Sequence, residues 1–228
     1  NVEDGGFAKS LAKLKGEQDR FMWWVAAQRA ERLKAEGKEF LFDVGDISNL
    51  KSLSEGSFAD GGARAPVYAE VLREMNDFND ALLKLAEESG LVDPEARKLF
   101  KDNPYVPFYR VLESGAAQGP KFSSGLVNQR AWKALKGSSK QLNSDLLSNM
   151  LLNWAHMYSA SAKNRAAVAS LKAATEVDIA YPVEAGTKGA VTVMEGGKAV
   201  HYKVEDPYIL EAITALNYVT PEFLKPLS

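Results

Sequence analysis

With 228 residues, 46% of them hydrophobic and 25% charged, the chain is long enough to bury a core as one large domain or two small ones, and too apolar to be disordered. It has no cysteine, which excludes disulfides, thiolate nucleophiles and thiolate metal sites and leaves packing as the source of cohesion. The net charge of −2 is unevenly spread: residues 1–120 carry −5, residues 121–172 carry +7 and residues 173–228 carry −4.

A cationic middle between acidic ends has two readings. The basic stretch can face acidic neighbours within the fold, or it can meet phosphates at the surface. No apolar run approaches the roughly 18 to 20 residues that span a bilayer, and the N-terminus lacks the order of a signal peptide. The chain opens at Asn1 without a Met and stops at Ser228 just after what reads as the start of another element, so both ends read as cut ends of a longer polypeptide.

Taken in chain order, residues 8–36 carry Leu11, Leu14, Phe21, Val25 and Leu33 at steps compatible with one helical face, predicting one long helix or two in series. Trp23 and Trp24 add a bulky patch suited to helix packing, and the charges of 31–38 read as a solvated end. Residues 43–46 begin like a calcium loop, but its Gly and closing Glu are missing at their spacing, so Asp46 or Ser48 is expected to cap a helix. Three glycines in 56–62 mark a loop. Pro66 then sits in a first helical turn, and Val71, Met75, Phe78, Leu82 and Leu85 follow at offsets 0, 4, 7, 11 and 14 until Gly90 stops the helix. Asp93, Pro94 and Glu95 supply a cap, a first-turn proline and a dipole-matched acid for a short helix to about 101.

Residues 105–112 are aromatic and β-branched, but Pro107 cannot donate to a ladder, so an extended segment or edge strand is expected. The glycines and serines of 115–125 fail the spacing of a phosphate loop and read as a connector. The strongest periodic signal covers 143–175. There Leu146, Leu147, Met150, Leu151, Trp154, Met157 and Tyr158 fall in one arc, the expected buried face. Asp145, Asn149, His156 and Lys163 line up opposite as a polar stripe, and Leu152 on that side suggests that some of it is covered. Arg165 lies on the apolar side, where a buried partner carboxylate or a helix-end role is expected. Asp145 and His156 stand about 16 Å apart along the axis, too far for a catalytic dyad.

Beyond Val177 the period becomes that of strands. Residues 190–195 and 200–204 alternate around Gly196 and Gly197, predicting a β-hairpin with Val200, Tyr202 and Val204 on one face and His201 and Lys203 on the other. Asp206-Pro207 and Thr220-Pro221 each announce a further helix.

The strings at 31–37 (ERLKAEG), 103–111 (NPYVPFYRV), 125–137 (GLVNQRAWKALKG), 152–167 (LNWAHMYSASAKNRAA) and 200–210 (VHYKVEDPYIL) resemble successive blocks of the large polyvalent protein-associated domains found in giant phage and prophage polypeptides. The resemblance runs from about residue 17 to the end, with the blocks in order. It implies a protein packaged in a phage particle and delivered with the genome into the bacterium, with enzymatic domains elsewhere in the polypeptide.

The expected architecture is mainly α, a multi-helix assembly with one small β-hairpin near the C-terminal end. The expected division is an N-terminal helical region over 1–112 and, over 113–228, a basic helical region with the hairpin and short terminal helices. The expected function is a non-catalytic structural or interaction module of an internal virion (DNA-ejection) protein, meeting portal or tail proteins or copies of itself as a homo-oligomer. It would sit first in the virion and then in the host. No catalytic, cofactor or metal residues are assigned. One alternative is nucleic-acid binding through 121–172, with Arg130, Trp132, Lys133, Lys136 and Lys140 as contacts to DNA. Another is an anti-defence protein co-injected with phage DNA. An enzyme would have to assemble His156 or His201 with a carboxylate such as Glu113 or Glu205.

Overall fold

The computed structural model describes residues 6–39, 41–101 and 146–215. The fold is mainly α with a small three-stranded antiparallel sheet near the C-terminal end. Two compact units divide the described residues: the first holds 6–81 and 146–151, the second 82–101 and 152–215. The boundary expected at 112/113, the extended segment at 105–112, the connector at 115–125 and the Thr220-Pro221 helix start all lie outside the described residues.

In the first unit the apolar periodicity of 8–36 resolves into two helices, α1 (Gly6–Ala12) and α2 (Gln18–Ala35). Between them Lys15 and Gly16 take φ of 51° and 91°, a left-handed turn that ends the first helix. Helix α3 (Val44–Lys51) is followed by a single 3-10 turn, Ser52–Ser54. Its cap is Asp43 rather than Asp46 or Ser48. The Asp43 carboxylate accepts from the Asp46 N–H at 2.7 Å while the Asp46 carboxylate accepts from the Asp43 N–H at 3.1 Å, a reciprocal box in which Asp46 supplies the return bond. Helix α4 (Arg64–Glu88) begins two residues before Pro66 and contributes its 64–81 stretch here.

Aromatic rings form the centre of this unit. Phe21 meets Tyr68 edge-on with centroids 5.3 Å apart, Trp24 lies 5.5 Å from Tyr68, and Phe58 lies 6.2 Å from it on another side. Leu14, Phe21, Val25, Val71 and Met75 are fully buried around them. Ion pairs tie the helices across this core. Glu17 receives both Arg64 Nε (2.7 Å) and Nη2 (2.9 Å), with the Tyr68 hydroxyl at 3.2 Å, and the Arg64 guanidinium holds the Glu17 carboxyl below its ordinary range. Lys13 reaches both Glu70 (2.8 Å) and Glu74 (2.6 Å).

In the second unit α4 ends at Gly90, in the left-handed region, and Asp93 caps α5 (Pro94–Lys101) by accepting the Glu95 N–H at 2.9 Å. Helix α6 (Leu146–Glu176) supplies residues from 152 onward to this unit and leads into β1 (Ala180–Val183), β2 (Val191–Glu195) and β3 (Lys198–Val204), ordered β1-β3-β2. The hairpin is as expected: Glu195 pairs with Lys198 across Gly196 and Gly197, whose φ values of 56° and 78° suit a tight two-residue turn. Strand β1 is an addition to the expected hairpin, since Pro182 argues against a strand. It is tolerated because β1 lies at the sheet edge, where a missing donor breaks no interior ladder. Tyr202 and Val204 turn inward with Val193, Ala180, Leu171 and Ile213 of α7 (Pro207–Ala215), while His201 and Lys203 are half-buried. The Asp206 carboxylate accepts the first N–H groups of α7, from Tyr208 at 2.8 Å and Ile209 at 3.0 Å, as the Asp-Pro start predicts.

Candidate functional site

Helix α6 carries most of the buried polar side chains among the described residues, and its periodicity is only half-readable. Leu146, Met150, Trp154 and Met157 are buried as expected. Leu151 and Tyr158, placed in the same arc, are instead 41% and 55% exposed. Arg165 is exposed rather than buried against a carboxylate. The opposite, polar stripe is packed: Asn149, His156 and Lys163 are buried, and so are Asn153 and Asn164, while Asp145 lies outside the described residues. Short polar side chains thus occupy interior positions along this helix.

The chemistry of those positions follows from their burial. Burial, with the Lys163 charge as a smaller contributor, drives the His156 imidazole down to about 4, so it is neutral at pH 7. Burial also lowers Lys163. Next to it in the chain, Asn164 makes the most complete polar contact described in the second unit. Its amide nitrogen donates to Ser89 O (2.6 Å) and Met194 O (2.7 Å), and its Oδ1 accepts from Met194 N (2.9 Å). Met194 lies on β2, the edge opposite β1, so Asn164 serves as the next strand would, closing an edge and pinning it to the end of α4. Beside it the Gly197 N–H donates to Gly90 O at 2.9 Å. A Cβ on Gly90 would stand 2.6 Å from Met194 O, and one on Gly197 would stand 2.8 Å from Asp93, so both glycines are required by close approach. Sequence reasoning misses Asn164. An asparagine on a helix reads as solvated unless its partners are known, and both are distant in sequence.

The other histidine is tied locally, since His201 Nδ1 lies 2.9 Å from Thr192 Oγ1 on the neighbouring strand. Glu205, offered as its carboxylate partner, accepts instead from the Tyr181 hydroxyl at 3.3 Å, and Glu113 is outside the described residues. Among the described residues, no three His, Asp or Glu side chains gather as a metal site, and no helix is long and apolar enough to cross a membrane. The five proposed nucleic-acid contacts, Arg130, Trp132, Lys133, Lys136 and Lys140, lie outside the described residues. Of the three described basic residues in this segment, Lys163 is buried, Arg165 is exposed and Lys172 stands 3.4 Å from Glu195.

The first unit adds a groove of about 440 Å³ lined by Trp23, Leu41, Phe42, Asp46, Asn49, Leu50 and Leu53. Of its two polar lining residues, Asp46 is already engaged in the capping box. The chain matches no protein-family model, and no curated protein or solved structure is significantly similar to it.

Proposed function

We propose that the chain is a structural and interaction module of a phage internal virion protein, carried in the particle and delivered with the genome into the bacterium. The ordered sequence blocks from about residue 17 onward support this reading, as does the helical architecture. The single observation from the geometry that carries it is the division of labour on α6. The helix buries two of its ionisable side chains, His156 and Lys163, and turns an edge that includes leucine, tyrosine and alanine to solvent, with Arg165 and Lys172 exposed along it. A buried neutral imidazole suits cohesion, and an apolar exposed edge suits attachment to another protein. The partners are then portal or tail proteins or further copies of the chain.

The test is an inventory of purified particles by mass spectrometry, with quantification against the portal protein. Recovery in a fixed number of copies per portal vertex is the expected result. Recovery only from the cytoplasm of infected cells overturns the virion reading and favours an anti-defence role.

A further inference from the structure

The exposed edge of α6 within the second unit has a repeat. Tyr158, Arg165 and Lys172 stand seven residues apart and are all exposed. Between them Ala155, Ala162 and Ala169 recur at the same interval, the first half-buried and the other two exposed. Seven-residue spacing keeps a seam in line along about five turns of helix. Half of this seam is methyl-sized.

We propose that this edge is a helix–helix interface with a second copy of the chain, packed antiparallel. The proposal rests on the reading of the chain as an interaction module and names its partner. Reversing a second α6 about an axis beside Ser161 and Ala162 sets Tyr158 opposite Arg165 of the second copy, and the reverse. Each guanidinium then lies over a tyrosine ring, a cation–π pair formed twice by symmetry. A parallel arrangement would stack Arg165 on Arg165, placing like charges together. The three alanines let the helices approach closely, as a seam needs where no large side chains interlock.

The absence of cysteine makes the test direct, because a single introduced cysteine has one partner to find. Ala162→Cys is expected to form a disulfide-linked dimer under mild oxidation, since this position lies beside the axis. Ala155→Cys and Ala169→Cys alone are expected not to link, their copies being about 20 Å apart along the seam. The two mixed are expected to link to each other. In sedimentation velocity the unmodified chain is expected to gain mass with concentration, and Tyr158→Lys, which sets a lysine against Arg165, to weaken the dimer at least ten-fold. Linking of Ala155→Cys with itself would indicate parallel packing and overturn the proposal. So would a monomer at every concentration, whether the thiol introduced by Ala162→Cys reacts freely or is shielded by another part of the chain. A monomer recovered from particles would overturn the pairing alone, and a dimer missing from particles would overturn only the virion reading.

Discussion

The two compact units are held together by different means. In the first, large side chains meet other side chains: rings pack around Tyr68, and Glu17, Lys13 and their partners bridge the helices. In the second, an apolar core is joined by side chains and turns that meet backbone, with Asn164 on three backbone groups and Gly90 and Gly197 where no Cβ fits. Side-chain contacts loosen by degrees when one partner is trimmed, because neighbours shift to fill the space. Backbone contacts cannot adjust in that way. The second unit should therefore fail abruptly where the first weakens gradually.

The sharpest way to break that contrast is at matched glycines. Gly90→Ala forces a methyl to 2.6 Å from Met194 O at a φ of 84° and is expected to cost about 4 kcal/mol. Gly16→Ala, at a φ of 91° with open space around it, is expected to cost about 1 kcal/mol from backbone strain alone. Urea unfolding followed by circular dichroism compares the two, and equal losses would remove the claim that close approach governs the second unit.

Next in size is Asn164→Leu. The change keeps most of the volume and strands the carbonyls of Ser89 and Met194 and the N–H of Met194, at an expected cost of about 3 kcal/mol. Asn164→Asp should fare no better, since a carboxylate would replace the donor that faces two carbonyls. Hydrogen exchange at the Met194 amide reads the local effect, and unchanged protection in Asn164→Leu would mean that the amide does not hold this edge.

These same residues mark where sequence reading reaches its limit. The Asp-Pro helix starts, the Gly90 stop and the Gly196-Gly197 turn are legible because each is encoded within a few neighbouring residues. Strand β1 is not, because a four-residue strand containing Pro182 is stable only where an edge position is available, and that depends on β3 some twenty residues later. The exposed edge of α6 is misread for a related reason. Helical periodicity identifies an apolar arc but does not say which parts of the helix surface packed layers will cover, so it places Tyr158 and Leu151 inward and His156 opposite them. Asn164 has partners 75 and 30 residues away, beyond the reach of any local pattern. The proposed nucleic-acid contacts are a reading of charge and aromatic spacing alone.

His156 offers a third probe through pH. Its folded value, about 4, lies below the ordinary 6.5, so the unfolded chain takes up a proton that the folded chain refuses. The neutral form's advantage is complete above 6.5 and is lost as pH falls from there toward 4, reaching about 2 kcal/mol of lost stability at pH 5. Carboxylates titrate in the same range, so the useful quantity is the difference from His156→Leu, whose stability should fall less between pH 7 and 5. Parallel profiles for the two proteins would place the imidazole in water.

The smallest effect tests the first unit's tolerance. Tyr68 is fully buried, and burial is the main cause that pushes its hydroxyl up to about 12, with the Glu17 charge and hydrogen bond adding to it. Tyr68→Phe keeps the ring against Phe21, Trp24 and Phe58 and removes only the 3.2 Å bond to Glu17, whose oxygens still hold both Arg64 nitrogens. The expected loss is about 1 kcal/mol, because the carboxylate left behind remains paired and partly hydrated. A loss as large as that of Asn164→Leu would show that the hydroxyl is as rigidly required as the amide, and the two units would then not differ in kind.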